Sequence, residues 1–395
     1  MNDKFYTLLL LVFFVSLYIP FLSPSLQCLL MGVICLLSFI NYPIEGSKKA
    51  LRLLLLFFGV EAVYLLIGKG LSWQNTLINS LCFLTGLSIC RCIKELSHKQ
   101  IRILFVCLLS ALAYTLLWSY YYLLSDPMYV RNFGYTESAE FVMPFYQAGI
   151  KYGNGEALSI VLPLVLAYCV NSKQKLTVAI TAVIVFAGIG VQLMATLTTS
   201  AFLSIIFCSA VVLRSVFHTM NKARMFSTIF AIAIVAIVAL RVFSFDINYQ
   251  MMMKIEDVNE SVNTGQATGQ VSTRFELYMQ SIKTFLHNPI LGLGETADFG
   301  TYNENSVGMH TAVFDFLALY GLFALLLYGT WKNVILCCFS YLEHKKKKLY
   351  ACAIFSLVFL LFLKGPVSIG TNYIFSTAVL GLFIMQEQNR NEIVQ

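Results

Sequence analysis

Long apolar runs alternate with polar connections along the whole chain. A helix needs about 20 apolar residues to cross a hydrocarbon core of about 30 Å, and helical backbone satisfies its own hydrogen bonds there. The pattern predicts an all-α polytopic membrane protein with about 12 transmembrane helices. The predicted spans are approximately 5–22, 26–42, 50–67, 75–92, 101–124, 156–171, 175–195, 200–217, 225–245, 309–331, 349–364 and 367–385.

Two of the connections, 125–155 and 246–308, are much longer than the others. The second separates an N-terminal bundle of about nine helices (1–245) from about three C-terminal helices (309–395). A structureless loop of about sixty residues is uncommon in a compact protein. We therefore expect the 246–308 loop to be structured and functional.

Part of this loop has the pattern of a short amphipathic helix. Thr273-Arg-Phe-Glu276 fits a capping box, apolar residues follow at near-helical spacing, and Asn288-Pro289 ends the run. The pattern predicts a helix over 273–287.

Basic residues fall in every second connection, including Lys48–Arg52, Arg91–Arg102 and Lys345–Lys348. The positive-inside rule then places both termini in the cytoplasm and the two long loops outside, where any chemistry must sit. These membrane anchors account for the net charge of +7. No nucleic-acid partner is therefore inferred from it.

The sequence indicates no metal and no cofactor. The eleven cysteines lie in or beside apolar runs, and Cys90-x-Cys92 has no partner pair for zinc. Gly292-x-Gly294 neither follows a strand nor opens a helix, so it is weak evidence for a phosphate loop.

Only two of the five histidines, His287 and His310, fall on the predicted outer side. His310 lies where the loop meets the membrane, and a neutral imidazole there can take a proton from a hydroxyl near pH 7. The alternative is a structural histidine that is hydrogen-bonded to the loop.

Arg274 is the one arginine in the 246–308 segment of the sequence. A guanidinium on an interfacial helix suits bidentate binding of a phosphate, although a surface salt bridge is the alternative. Arg131 in the other outer loop and Arg241 near the end of the ninth span are further cations that could reach this region.

Two carboxylates fall inside predicted spans. Asp315 lies five residues after His310, about 140° around a helix, so a direct pair is not favoured. It is either functional or a polar lock to a neighbouring helix. Glu61 in the third span is equally open to both interpretations.

The segment from Arg274 through Asn288-Pro289-Ile-Leu-Gly292-Leu-Gly294 to His310 and Gly321 resembles the O-antigen polymerase and O-antigen ligase superfamily. The family pattern is an arginine, a helix, Asn-Pro-Leu-x-Gly-x-Gly, and a histidine that heads a transmembrane helix with a glycine about eleven residues on. One arginine of many relatives is missing here, where the chain has Ser200-Ala201-Phe202.

The resemblance implies a GT-C-like membrane enzyme that performs metal-independent, inverting glycosyl transfer on the outer face of the bacterial cytoplasmic (inner) membrane. The donor would be an undecaprenyl-diphosphate-linked glycan, polymerised into O-antigen, capsule or exopolysaccharide. His310 would be the catalytic base, Arg274 would hold the diphosphate, and Arg131 would match a second family arginine, with Arg241 a candidate replacement for the missing one. A flippase and a chain-length regulator of the same pathway are the implied partners.

Two alternatives stay open. A ligase would transfer the finished glycan to a lipid A core or another acceptor, with the same donor and the same residues. A lipid-linked oligosaccharide flippase would also have about twelve spans, but transporters tend to show internal repeats and midplane charges.

Overall fold

A computed structural model shows a helical protein. It describes residues 3–19, 21–42, 48–68, 73–125, 152–170, 172, 175–195, 197–219, 256, 260, 263, 269–294, 298–299, 306–308, 310–364 and 369–394.

Eight helices precede the long loop in the described ranges. They are α1 (Asp3–Ser16), α2 (Pro24–Asn41), α3 (Lys48–Leu66), α4 (Trp73–Cys92), α5 (His98–Ser125), α6 (Tyr152–Val170), α7 (Lys175–Met194) and α8 (Thr198–Thr219). A 3₁₀ turn, Ile93–Glu95, follows α4.

The C-terminal part is broken into shorter helices. They are α9 (Gly269–His287), α10 (Ala312–Tyr320), α11 (Ala324–Ser340), α12 (His344–Ile354), α13 (Ser356–Leu363), α14 (Ile369–Ile374) and α15 (Leu380–Val394). A 3₁₀ turn, Gly321–Phe323, joins α10 to α11, and a π-helix, Phe375–Val379, joins α14 to α15. Strands β1 (Asp298–Phe299) and β2 (Ser306–Val307) pair in parallel, with Asp298 opposite Ser306.

The surface of the helices is suited to lipid. Large apolar side chains are exposed on several of them, such as Leu66 (86%), Leu117 (72%) and Leu176 (73%), which a water-soluble protein would bury. By length and composition, four stretches of the described residues are long and apolar enough to cross a membrane: His98–Ser125, Gly153–Val170, Leu176–Met194 and Ala312–Ser340, the last of which is interrupted at Gly321. The molecule is an all-α membrane protein. The count of twelve spans stays a prediction, since 225–245 lies outside the described residues.

Polar contacts join the helices at one end of the bundle, called here the basic end. The Gln100 amide donates to the Thr7 hydroxyl over 2.7 Å, which joins α5 to α1. The Lys346 ammonium lies 2.7 Å from the Glu387 carboxylate and joins α12 to α15. The helices joined by these two contacts lie beside basic connections, which the charge pattern predicts on the same side of the membrane.

A second set of contacts lies at the opposite end, called here the loop end because α9 and α10 are there. The Asn154 amide at the start of α6 donates to the Leu17 carbonyl over 2.6 Å. The Lys364 ammonium, just after α13, lies 2.8 Å from the Glu156 carboxylate. The alternation of spans predicts that the end of α1, the start of α6 and the end of α13 lie on one side of the membrane, and these segments do meet.

The apolar stretch predicted as one span at 309–331 forms two helices, and the second continues to Ser340. The Tyr328 hydroxyl of α11 donates to the Ala312 carbonyl over 3.0 Å. In a continuous helix these residues would be about 24 Å apart at 1.5 Å per residue. The chain therefore folds back on itself at Gly321, so that α10 stays at the loop end while α11 runs along α3.

The amphipathic helix predicted at 273–287 is present as α9, but it begins four residues earlier, at Gly269. Thr273 therefore lies inside the helix and does not cap it. The Glu276 carboxylate accepts a hydrogen bond from the Ser272 hydroxyl over 3.1 Å. The end is as predicted, at His287, directly before Asn288-Pro289.

Candidate active site

Helix α9 packs one buried stripe of side chains against the rest of the protein. Leu277, Ser281 and Thr284 are buried, three or four residues apart as the 3.6-residue period requires. Phe275 and Leu286 are exposed, at 59% and 67%. The helix is therefore held on one face and presents apolar side chains on another.

A hydrogen-bond network anchors this stripe to α10. The Ser281 hydroxyl donates to Asp315 Oδ1 over 2.5 Å and accepts from the Gly308 amide over 2.9 Å. Asp315 Oδ2 accepts from the Thr311 amide over 3.0 Å. Asp315 is completely buried, so it acts as the polar lock to a neighbouring helix that was one of its two interpretations.

The hydrogen bond between Ser281 and Asp315, called here the Ser281–Asp315 lock, joins the helices beside His310 and Arg274. These are the two predicted site residues that the structure describes. His310 directly precedes Thr311, whose amide is bound by Asp315, and its side chain is exposed. Arg274 lies two helical turns before Ser281 on the same face of α9 and is half-buried. Because α9 packs against α10, the structure brings the elements that carry both residues together.

Two glycines of the family pattern allow the chain to reverse beside the site. The Leu293 amide donates to the Ala318 carbonyl over 2.9 Å, and the Leu322 amide donates to the Pro289 carbonyl over 2.8 Å. Gly321 has φ +58° and ψ −142°, a conformation that only glycine adopts readily. A Cβ on Gly321 would lie 2.3 Å from the Ile290 carbonyl, and one on Gly292 would lie 2.3 Å from the Leu319 carbonyl.

Tyr64 of α3 closes this region from the side of the bundle. Its hydroxyl donates to the Leu291 carbonyl and also lies 3.3 Å from the Tyr320 carbonyl. The Asn-Pro turn and the end of α10 are thus attached to a long helix. This attachment gives the short α10 a rigid support.

Tyr278, one turn after Arg274, shows which charges share the site. Burial raises the pKa of its phenol, and the Asp315 carboxylate raises that pKa further, while Arg274 and Lys364 act in the opposite direction. The phenol therefore stays neutral at physiological pH and can donate a hydrogen bond. Arg274, Asp315 and Lys364 all lie close enough to Tyr278 to act on it.

Sequence reasoning missed Lys364 and Glu156. Their charged atoms are 2.8 Å apart, and their side chains are 13% and 2% exposed. The Lys364 carbonyl also accepts a hydrogen bond from the Ala312 amide over 2.5 Å, two residues after His310. The signal was an isolated lysine that ends an apolar run directly before Gly365-Pro366.

Four further candidate positions are Arg131, Arg241, Ala201 and Glu61. Arg131 and Arg241 lie outside the described residues. Ala201, at the position where the resemblance implies an arginine, is completely buried at the start of α8. Glu61 is buried on α3. Within the described ranges no group of three metal-binding side chains is close enough to hold an ion.

Comparison with known proteins supports the resemblance. Residues 182–329 match a family model described as O-antigen ligase. The matched segment contains Arg274, His310 and Gly321, whereas Glu156 and Lys364 lie outside it. The match confirms the resemblance to the O-antigen polymerase and ligase superfamily and supports ligase- or polymerase-type activity on a lipid-linked glycan. No curated protein matches the chain.

Proposed function

We propose, starting from the match of residues 182–329 to O-antigen ligases, that this chain is a membrane glycosyltransferase that polymerises undecaprenyl-diphosphate-linked repeat units. The observation that carries the proposal is the Ser281–Asp315 lock. It holds the helix with Arg274 against the helix that follows His310, beside the Lys364 cation.

In the proposed reaction His310 acts as the base. An acceptor hydroxyl oxygen attacks the anomeric carbon from the face opposite the diphosphate, so the configuration inverts. The hydroxyl proton passes to the His310 imidazole, and the electron pair of the broken carbon–oxygen bond leaves with the diphosphate. A neutral imidazole suits this task because histidine is the side chain that most often serves as a general base in enzymes.

The departing diphosphate needs fixed cations, because negative charge builds up on it in the transition state. Arg274 provides a planar pair of donors for it. Lys364 provides a second positive charge, taking the place of the arginine that is missing at Ala201. Tyr278, kept neutral by burial, adds a hydrogen-bond donor between them. The proposed transfer uses these groups without a metal ion.

The exposed apolar side chains of the site support a position at the bilayer surface. Phe275 and Leu286 on α9, with Ile290 in the following turn, are all more than half exposed. An amphipathic helix with such a face lies in the interface between lipid and water. We place this interface on the extracytoplasmic side, with both termini in the cytoplasm, as the charge pattern predicts.

The second candidate is an O-antigen ligase, favoured by the description of the matching family model. It would use the same donor, base and cations. The two activities differ in the acceptor, which is another lipid-linked unit for a polymerase and a lipid A core or other molecule for a ligase.

One assay separates the candidates. Purified protein in lipid vesicles is given lipid-linked repeat units, and the products are resolved by size. A ladder of longer lipid-linked chains supports the polymerase. Transfer only after an added acceptor supports the ligase, and movement of the units across the vesicle membrane without transfer supports a flippase.

In this assay we expect His310→Ala and Arg274→Ala each to reduce product by a factor of roughly a hundred or more. His287→Ala and Lys283→Ala are the matched controls and should retain activity. His287 is an exposed histidine at the far end of α9, and Lys283 is an exposed cation on its opposite face. Full product from either site variant would reject its assigned role.

A further inference from the structure

A cavity of about 480 Å³ lies at the basic end, far from the proposed active site. It is bounded by α5, α7, the end of α6 and α15, and we call it the basic-end cavity. Its polar lining includes His98, Arg102, Ser172, Thr177, Gln386 and Asn389. No aspartate or glutamate is among the described lining residues.

Two amide side chains in the polar part of the cavity each have one buried polar atom without a hydrogen-bond partner among the described residues. Asn389 is 5% exposed, and its Nδ2 finds no hydrogen-bond acceptor among the described residues, although its Oδ1 is bound by the His98 ring. Gln386 Nε2 donates to the Tyr168 hydroxyl over 3.4 Å, while its Oε1 has no donor in that same part of the structure. A buried donor or acceptor without a partner is unfavourable, so a bound ligand that pairs with both atoms is favoured.

Arg102 adds a positive charge at the same position. It lies one turn into α5, is exposed, and forms no ion pair with any described residue. Together with Asn389 Nδ2 it can donate to an anionic oxygen. Gln386 Oε1 can in turn accept from a hydroxyl of the same ligand.

The rest of the cavity is apolar and runs into the bilayer. Its wall on α5 continues from Arg102 to Ala113, a rise of about 16 Å, which is close to half the thickness of a hydrocarbon core of about 30 Å. Ile180 and Ile184 of α7 form the facing wall. Val106 and Ile180 are half exposed, so the wall is continuous with the lipid-facing surface.

We propose that the basic-end cavity binds an anionic glycerophospholipid with a hydroxylated headgroup, phosphatidylglycerol being the simplest. The phosphate lies at Arg102 and Asn389, a headgroup hydroxyl donates to Gln386, and one acyl chain follows α5 and α7. Basic pockets between transmembrane helices commonly hold such headgroups. The carrier lipid of the proposed reaction has its diphosphate at the loop end, so a lipid here comes from the opposite leaflet.

The test measures lipid retention by the purified full-length protein. The protein is incubated in detergent with equal amounts of phosphatidylglycerol and phosphatidylcholine, and the lipids still bound are counted by native mass spectrometry. We expect phosphatidylglycerol to be retained about tenfold over phosphatidylcholine, as one charge-assisted contact allows. Arg102→Gln should bring the ratio close to one.

Two further variants make the result specific. Arg52→Gln removes an exposed arginine of α3 at the same end that does not line the cavity, and it should keep the preference. Ser110→Trp fills the apolar part from an exposed position and should reduce retention of both lipids.

Three outcomes would overturn the assignment. Equal retention of the two lipids by the unmodified protein would remove the headgroup preference. An equal loss of the phosphatidylglycerol preference in Arg52→Gln and Arg102→Gln would show that the preference comes from general surface charge and not from the cavity. Displacement of phosphatidylglycerol by stoichiometric polyprenyl phosphate would assign the cavity to the carrier lipid.

Discussion

The Ser281 hydroxyl links three segments of the chain through hydrogen bonds. It donates to Asp315 of α10, accepts from Gly308 after β2, and is carried by α9. A buried carboxylate is costly unless its oxygens accept hydrogen bonds, and the Ser281 hydroxyl and the Thr311 amide supply two of them. The position of the proposed base therefore depends on a residue with no chemical role of its own.

The ion pair of Lys364 and Glu156 is predicted to be needed for both stability and catalysis, and two variants separate these effects. Lys364→Met alone leaves a buried carboxylate without its cation and should lower the free energy of unfolding by about 3 kcal/mol. Adding Glu156→Gln should recover most of that loss. Product formation by the double variant should stay roughly a hundredfold low, because the second cation is still missing.

The basic end provides the control for this experiment. Lys346 and Glu387 are 2.7 Å apart and similarly buried, at 18% and 0% exposure. The double variant Lys346→Met with Glu387→Gln should have the same thermal stability as the double variant Lys364→Met with Glu156→Gln. It should, however, keep the activity of the unmodified protein. If Lys364→Met with Glu156→Gln also keeps normal activity, Lys364 has only a structural role.

At the scale of elements, the reversal at Gly321 determines the position of α10, which supports the proposed site. Helix α10 has nine residues and is about 13 Å long, less than half of the hydrocarbon core. It therefore supports the site without crossing, and the crossing is left to α11. The Tyr328 hydroxyl fixes the angle between the two helices by bonding to the first turn of α10.

We predict that Gly321→Ala disrupts this arrangement. The backbone conformation alone costs about 1–3 kcal/mol for a residue with a Cβ, and the 2.3 Å approach to the Ile290 carbonyl adds to it. Thermal unfolding of the purified protein should show the loss, accompanied by lower activity. Gly190→Ala on α7, where a Cβ would meet no atom within 4 Å, should be neutral or slightly stabilising. Equal stability of the two variants would contradict the proposed role of Gly321.

At the scale of the whole molecule, the two ends of the bundle differ in character. The loop end carries the proposed site, whereas the basic end carries the Lys346–Glu387 pair and the basic-end cavity. Their separation across the bilayer is the main requirement of the proposed function, since the carrier diphosphate must meet the site on one side only.

The orientation is tested by thiol labelling of intact cells. Lys283→Cys and Lys348→Cys each place a thiol at an exposed position, on α9 and α12 respectively. A membrane-impermeant maleimide of large mass should add one adduct to the first variant in whole cells, and to the second only after lysis. The unmodified protein gives the background from its eleven native thiols. Labelling of Lys348→Cys alone in whole cells would place the site in the cytoplasm.

The sequence predicted the features that depend on local pattern. Hydropathy predicted most of the described helices, and Asn288-Pro289 predicted the end of α9. The roles that the alternation of basic connections suggested for Arg274 and His310 stay predictions. The sequence did not give the reversal at Gly321, because an apolar run looks the same whether it crosses the membrane or turns back. It also did not give the pairing of Lys364 with Glu156, because the partners are far apart in sequence and meet only after the bundle has closed.

The hydrogen bond from the Ala312 amide to the Lys364 carbonyl has a consequence for synthesis of the chain. The ribosome synthesises Glu156, Arg274 and His310 before it reaches Lys364. Until α13 has inserted, the Glu156 carboxylate lacks its cation and the start of α10 lacks its acceptor. In the proposed mechanism, a nascent chain that stalls before α13 has inserted lacks the second cation of the site and should not act on the carrier lipid.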